Sequence, residues 1–288
     1  MNKQINKTIT ELSNADQIHD ICHINGSFLP MPSIEMLKEA VNITRALLFP
    51  GYYGNSQVNE HNIGRHIFIN IENLKELLQK QILSGLCFEG RNPVNSDLEK
   101  LADNMTGKFI ETLPEIRRQL YQDVLSSYNG DPAAKSFGEI IYCYPGIRAI
   151  CNYRIAHELL KLGVPLIPRI ITEMAHSETG IDIHPSAKIG SYFTIDHGTG
   201  VVIGETAVIG NNVKIYQGVT LGARSFPLDE NGHPIKGIKR HPNIGNNVII
   251  YSNSTILGDI TIGDDAIIGG NLWVTEDVPA GARLAQKK

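Results

Sequence analysis

Aliphatic residues recur at every sixth position over the last third of the chain, and this spacing predicts its fold. A helix repeats its apolar positions every 3.6 residues, and a half-buried strand repeats them every second residue. A short strand and a turn that repeat every six residues form one side of a triangular coil, so about 18 residues close one turn of a parallel β-helix. Thirteen positions predict just over four coils: Ile183, Ile189, Ile195, Val201, Ala207, Val213, Val219, Ile244, Ile250, Ile256, Ile262, Ile268 and Val274.

A long interruption separates two runs of this pattern. Val219 and Ile244 are 25 residues apart, where an unbroken pattern would need 24. The segment between them is rich in Gly, Pro and charged residues and has no six-residue rhythm before His241. It predicts an inserted loop over residues 222–240, and long loops on rigid solenoids often carry function.

The chain before about residue 178 has a helical pattern instead, with apolar residues at spacings of three and four. The predicted helices span 32–49, 70–86, 96–127, 146–163 and 165–176, and Asp131-Pro132 opens a further one. The predicted fold class is therefore α+β, with an all-α N-terminal domain followed by a left-handed parallel β-helix of hexapeptide repeats. We expect a helical domain over 1–178, the β-helix over 179–278 and a C-terminal tail over 279–288. The helices would cover the exposed end of the first coil.

Composition and charge narrow the class of protein. Of 288 residues, 42% are hydrophobic and 19% are charged, and the formal net charge is −4. No apolar stretch approaches the roughly 18 residues that span a membrane. The sequence also has no long block of Lys and Arg, which argues against nucleic acid as the main partner. The polar start lacks the apolar core of a secretory signal. We expect a cytoplasmic protein whose four cysteines, which lack metal-binding spacing, are reduced and buried.

Among the ten histidines, His197 has the setting that best suits catalysis. It follows the core position Ile195 in the segment Thr-Ile-Asp-His-Gly-Thr-Gly, where a glycine-rich corner leaves an imidazole accessible. Imidazole accepts a proton near neutral pH, which suits a general base. Asp182 precedes His197 by fifteen residues, close to one coil, so its carboxylate could orient the ring. The alternative is a structural corner histidine, and His184 and Glu205 are interpreted as structural turn residues.

The motifs around these residues resemble a known family. DIHPSAKIG, IDHGTGVVIGETAVIG and VTLGA, with RHPNIG after the loop, are similar to the serine O-acetyltransferases, which make O-acetylserine for cysteine synthesis. The resemblance extends from about Asp131 to about Val278, half of the chain. It implies transfer of an acetyl group from acetyl-CoA to L-serine, with acetyl-CoA as co-substrate and no tightly bound cofactor or metal.

The resemblance also implies roles for single residues. His197 would take the proton of the serine hydroxyl while Asp182 orients its ring, and the hydroxyl oxygen would attack the thioester directly in a ternary complex. The ammonium and carboxylate groups of serine would be bound by Asp131, Asp196, Arg240 and His241. Acetyl-CoA would be bound by Gly222, Ala223, Tyr251, Ser252 and Gly270. The chain departs from the family pattern at Ala223, where a glycine is usual, and at Tyr251 and Ser252, which replace small residues.

The resemblance implies partners as well. We expect a homotrimer, or a hexamer built as a dimer of trimers, with clefts between neighbouring prisms. L-Cysteine is expected to act as a feedback inhibitor at the serine site. The sequence ends in VPAGARLAQKK, without the C-terminal Ile that relatives insert into cysteine synthase, so we expect no tight complex of that kind.

Three alternatives remain open at this point. The chain could acetylate another hydroxyl acceptor, such as homoserine or a sugar. It could also be a catalytically silent β-helix scaffold or regulatory subunit. A β-helical carbonic anhydrase would bind zinc through histidines across a trimer interface. The β-helix lacks the histidine pair five positions apart that is typical of that lyase.

Overall fold

The computed structural model describes residues 3–14, 31–88 and 96–286, which form a helical half and a parallel β-helix. The helices of the described residues are α1 (Lys3–Leu12), α2 (Ile34–Leu48), α3 (Ile63–Phe88), α4 (Ser96–Gly130), α5 (Phe137–Cys143), α6 (Pro145–Lys161) and α7 (Ile167–Thr179). No helix within these ranges has both the length and the apolar character needed to cross a membrane. Cys87 and Cys151 are buried as expected, Cys143 is exposed, and Cys22 lies outside the described residues.

The helical half contains helix α1, which was not predicted, and differs from its prediction at several other places. Helix α3 begins at Ile63, seven residues before the predicted start, and α4 continues through Pro114 to Gly130. Asp131-Pro132 does not open a helix. The Asp131 carboxylate instead accepts the backbone N–H of Ala133 in a short turn, and α5 begins only after Ser136, whose hydroxyl caps it by accepting the N–H of Glu139.

The second half is the predicted β-helix, made of strands of two or three residues that pair in parallel. The strands are β1 (Asp182–Ile183), β2 (Lys188–Ile189), β3 (Thr194–Asp196), β4 (Val202–Ile203), β5 (Val208–Ile209), β6 (Lys214–Tyr216), β7 (Thr220–Gly222), β8 (Asn243–Ile244), β9 (Ile249–Ile250), β10 (Thr255–Leu257), β11 (Thr261–Ile262), β12 (Ile267–Ile268), β13 (Trp273–Val274) and β14 (Arg283–Leu284). The first face is β1-β4-β7-β10-β13, the second is β2-β5-β8-β11, and the third is β3-β6-β9-β12-β14. The predicted fold class is confirmed, with about five coils.

The first coil is two residues longer than the pattern predicted. Ile183 pairs with Ile203, twenty positions later, whereas Ile244 pairs with Ile262 after 18. The extra residues lie in the turn between β3 and β4. The strand positions that follow Ile195 are therefore Ile203, Ile209, Ile215 and Leu221, not Val201, Ala207, Val213 and Val219 as predicted. The four predicted residues are nevertheless buried. Each lies two positions before a paired strand residue and also points into the prism.

The β-helix also extends beyond the expected boundary at residue 278. Strand β14 pairs with β12, and the N–H of Val278 donates to the carbonyl of Thr261. The first half of the expected tail 279–288 therefore belongs to the last coil. The inserted loop leaves the β-helix after Gly222, at the end of β7, and the chain rejoins it at Asn243, at the start of β8.

Helices α4 and α6 cover the first coil through a buried ion pair. The Arg154 guanidinium contacts both oxygens of Asp123 at 2.6 and 2.9 Å, and it also donates to the carbonyl of Gly190 at 2.9 Å. Asp123 in turn accepts the N–H of Phe193 at 2.9 Å. Because the two charges and the backbone between β2 and β3 satisfy one another, this contact fixes the helices to the coil that bears His197.

Candidate active site

The substrate-binding and catalytic residues predicted for the site, other than Asp182, fall together with neighbouring residues into two groups at opposite edges of the first face. One group, which we call the His197 corner, joins the third face to the first and comprises Asp131, Tyr144, Asp196, His197 and Lys214. The other, the Arg240 corner, joins the first face to the second and comprises His184, Gly204, Glu205, Arg240 and His241. The two groups therefore lie at different corners of the prism, one face apart within one chain.

His197 stands in the turn that carries the two extra residues. Its backbone has a φ of 59°, in the left-handed region, and its side chain is 76% exposed. One ring nitrogen, Nε2, lies 3.8 Å from Oδ1 of Asp196. The longer turn thus presents an accessible imidazole beside a carboxylate.

Asp131 lies next to this imidazole and is held by two hydrogen bonds. The Tyr144 hydroxyl donates to Oδ2 at 2.6 Å and the Ala133 N–H donates to Oδ1 at 2.8 Å, and these contacts lower the pKa of Asp131. The same hydrogen bond raises the pKa of Tyr144 to about 12. Tyr144 caps α6, whose start packs against β3 so closely that a Cβ on Gly146 would lie 2.4 Å from the Ile195 carbonyl oxygen.

Lys214 is a member of this corner that sequence analysis missed. Its ammonium lies 2.9 Å from Oδ2 of Asp196 and donates to the carbonyl of Gly130 at 2.8 Å. Burial disfavours this charge, but the hydrogen bonds to Asp196 and Tyr216 outweigh burial, and the pKa of Lys214 is raised. Only the pairing of β3 with β6 brings Lys214 to Asp196, so no local motif could have indicated it.

Asp182 is not in contact with His197 within one chain. Its carboxylate lies within 4.8 Å of a Glu173 carboxylate oxygen and a His176 ring nitrogen, both from α7. Across the described ranges, no hydrogen bond or ion pair joins Asp182 to His197. The predicted role of Asp182 in orienting the ring therefore remains a proposal.

At the Arg240 corner, His241 is a buried, neutral imidazole. Its Nδ1 accepts the Thr206 N–H at 3.1 Å, which leaves Nε2 as the protonated nitrogen. Burial, followed by the neighbouring Arg240 charge, lowers the pKa of His241 to about 4. The ring packs so closely on Gly204 that a Cβ there would lie 2.1 Å from it.

Arg240 is held beside His241 by contacts within the same corner. Its guanidinium donates to Glu205, and the Thr206 hydroxyl accepts its backbone N–H at 3.0 Å. The hydrogen bond from the Arg240 guanidinium lowers the pKa of Glu205. The sequence pattern had indicated only a turn residue at Glu205. Its role depends on a partner 35 positions away, beyond the loop.

The residues predicted for acetyl-CoA are also divided between the two edges. Tyr251, Ser252 and Gly270 follow strands of the third face, so they lie along the same edge as His197 in successive coils. Tyr251 stacks on Tyr216, with ring centroids 5.1 Å apart. Gly222 instead ends β7 and Ala223 follows it, where the loop begins beside the Arg240 corner.

Comparisons with known proteins give this geometry its context. The bacterial transferase hexapeptide family (six repeats) matches residues 241–276. The chain is 47% identical to a plasmid serine acetyltransferase of Synechococcus elongatus over 91% of this chain and 84% of that protein. The crystal structure of Entamoeba histolytica serine acetyltransferase 1 in complex with L-cysteine is 34% identical, with a TM-score of 0.75, and the match covers 96% of this chain and 94% of that one.

A more distant structure agrees with these two. Serine acetyltransferase of Neisseria gonorrhoeae in complex with serine is 26% identical with a TM-score of 0.56, and the match covers 92% of this chain and 98% of that one. The resemblance that the motifs indicated is confirmed over most of the chain, helical half included. The chain therefore belongs to the serine acetyltransferase family.

Proposed function

We propose that this protein transfers the acetyl group of acetyl-CoA to the hydroxyl of L-serine, giving O-acetyl-L-serine and CoA for cysteine synthesis. The observation that carries the proposal is the His197 corner, where an exposed imidazole stands beside two carboxylates. A zwitterionic acceptor needs anionic groups for its ammonium and a cation for its carboxylate. Asp131 and Asp196 supply the first, and Arg240 with the Nε2–H of His241 supplies the second.

The proposed reaction is a direct transfer with His197 as general base. A ring nitrogen takes the serine hydroxyl proton as the oxygen bonds to the thioester carbonyl carbon. The carbon–sulfur bond of the tetrahedral intermediate then breaks, its electron pair goes to sulfur, and the imidazolium returns the proton to form the CoA thiol. Backbone N–H groups near Gly222 and Ala223 would stabilise the oxyanion.

The division of the site between two corners supports a further part of the proposal, that the active site forms between two copies of the chain. The His197 corner of one copy would face the Arg240 corner and Asp182 of the next, in a trimer or a dimer of trimers. Asp182 would then orient His197 across this interface. Tyr251, Ser252 and Gly270 would line the acetyl-CoA cleft along the same edge.

The test is serine-dependent release of CoA from acetyl-CoA, measured on wild type and on His197→Ala with homoserine as a parallel acceptor. We expect serine to be preferred and the variant to lose at least about 100-fold in kcat. His61→Ala, which removes an exposed imidazole from the helical half, is the control and should retain wild-type activity. Absence of serine-dependent release by wild type would reject the proposal and leave another acceptor or a silent scaffold.

We also propose that L-cysteine inhibits by occupying the serine site. Cysteine has the same ammonium and carboxylate groups as serine, and its thiol would lie beside His197. Inhibition competitive with serine would support this, and inhibition unaffected by serine concentration would contradict it.

A further inference from the structure

A cavity lies in the helical half, bordered by α2, α6 and α7. Its volume is about 790 Å³, within the roughly 300–1,000 Å³ that is typical of small-molecule sites. Apolar side chains form part of its wall, among them Val41, Ile170 and Met174. Four cations also line it, Lys38, Arg45, Arg148 and Arg169, together with three acids, Glu35, Glu173 and Glu178.

Arg45 is the charge in this lining that most needs a partner. It is only 6% exposed, and its guanidinium donates to Asn152 Oδ1 at 2.7 Å. Its Nε is buried without a hydrogen-bond partner, and no carboxylate of the described ranges lies within ion-pair distance. The Tyr53 ring, with its centroid 6.0 Å away, offers only a weak cation–π contact.

The other two arginines of the lining are already neutralised. Arg148 forms an ion pair with Glu178, and Arg169 forms one with Glu173. A buried guanidinium without a counter-ion is costly, and it is usually stabilised by an anion in contact with it. Arg45 therefore leaves one positive charge unmatched beside an empty volume that has an apolar wall.

We propose that this cavity binds a small organic anion. Its carboxylate or phosphate head group pairs with Arg45, and its apolar body lies against Val41 and Met174. Lys38, which is exposed at the cavity wall, adds a second, weaker attraction for the same charge. The cavity shares no lining residue with either corner of the β-helix, although Glu173 in its wall lies within 4.8 Å of the Asp182 carboxylate, so its occupancy is measured by binding and not by acetyl transfer.

Isothermal titration of the full chain with hexanoate, inorganic phosphate and neutral hexanamide tests this site. We expect hexanoate to bind with one site per chain and hexanamide not to bind. A preference for phosphate over hexanoate would identify the head group as phosphate and still support the site. Failure of both anions to bind at about 10 mM, or equal binding of hexanamide, would overturn the proposal.

Variants assign the binding to Arg45. Arg45→Met should weaken hexanoate binding at least about tenfold, and Lys38→Met should weaken it about two- to fivefold. Lys80→Met removes an exposed lysine paired with Glu76 on α3 and is the matched control. If Arg45→Met does not fold, Lys38→Met decides, because unchanged binding in a variant of unchanged Tm contradicts the proposal.

A last variant separates this site from the proposed serine pocket. Arg240→Ala removes the guanidinium proposed for the serine carboxylate and should leave hexanoate binding intact. Loss of hexanoate binding in Arg240→Ala would place the anion in the serine pocket and overturn the cavity assignment. Loss of acetyl transfer with hexanoate binding retained would show the two sites to be independent.

Discussion

The conformation of His197 is set by the turn in which it stands. In later coils the same corner turns through Gly218, Asn253 and Asn271, all with positive φ. The first coil turns through His197, Gly198 and Gly200, which also have positive φ. A left-handed conformation costs a non-glycine residue about 1–2 kcal/mol. The turn therefore holds His197 at a small cost in stability and directs its ring into solvent.

Gly204 has no side chain, and this leaves the space that the His241 ring occupies. A Cβ at this position would lie 2.1 Å from the imidazole, so Gly204→Ala must displace the ring or the loop end that bears it. We expect the KM for serine to rise at least about tenfold, with a smaller change in the KM for acetyl-CoA. Gly64→Ala in α3, where a Cβ meets nothing within 4 Å, is the control. Equal changes in both KM values would show that Gly204 does not act through the serine pocket.

The burial of His241 makes stability depend on pH. Its pKa in the folded chain is lowered to about 4, whereas an unfolded histidine titrates near 6.5. Between these values the unfolded chain binds a proton that the folded chain does not, so stability falls as the pH decreases from 6.5 to 4. The loss attributable to His241 is on the order of 1–3 kcal/mol.

Urea unfolding of wild type and His241→Asn at pH 7 and pH 4.5 measures this effect. Both proteins lose stability as carboxylates are protonated, but wild type should lose more. If both lose the same amount, His241 is not the group responsible.

Buried polar contacts join several elements in addition to the shared hydrophobic core. The Asp123–Arg154 pair connects α4 to α6 and connects both helices to the first coil. Tyr153 adds a hydrogen bond from its hydroxyl to the Ala187 carbonyl at 2.5 Å. The coil that bears His197 therefore depends on the helices for its position.

Removing one member of the pair leaves the other charged and buried. Asp123→Ala should lower the free energy of unfolding by about 3–5 kcal/mol, measured by urea denaturation. The double variant Asp123→Leu with Arg154→Met should lose less than the sum of the single changes, because it leaves no unpaired charge. Glu115→Ala, which breaks the exposed pair with Arg118, should cost at most about 1 kcal/mol. Additive losses in the double variant would contradict this coupling.

The sequence pattern predicted the elements well where one period governed them and less well at insertions. Period six identified the β-helix, because each coil repeats the same burial. It could not locate the two extra residues of the first coil, since Val201 and Ile203 are both aliphatic, two positions apart and buried. Helix α3 was predicted too short because its first turns are apolar on more than one side, with Phe68 and Ile69 exposed and Ile67 packed against the core.

At the scale of the whole molecule, the proposed site residues lie at two different corners of the prism, although the motifs indicated a single site. Arg240 and His241 are adjacent in sequence, and Asp196 and His197 are too, so motifs indicated both pairs. Whether the pairs meet in one chain depends on which corner of the prism each occupies. That is settled by the register of distant coils, which local motifs do not encode.

Mixing two inactive variants tests whether the site forms between chains. Chains of His197→Ala and Arg240→Ala are unfolded together, refolded at equal amounts and assayed for acetyl transfer. If each site takes one corner from each of two neighbours, about a quarter of the sites combine two intact corners, and activity returns to about a quarter of wild type. If one chain forms the whole site, the mixture stays as inactive as its components.

The even stacking of the coils sets fixed distances along the β-helix. Along the edge that begins at His197, each coil advances by about 4.8 Å, a step fixed by backbone hydrogen bonds and independent of side chains. Gly270 lies three coils below His197, so the two are about 14 Å apart along this edge. Deleting one whole coil would preserve every repeat contact and yet shorten this distance by a single step. If acetyl-CoA binds along this edge as proposed, the number of coils, rather than any one residue, would set the length of the substrate that fits there.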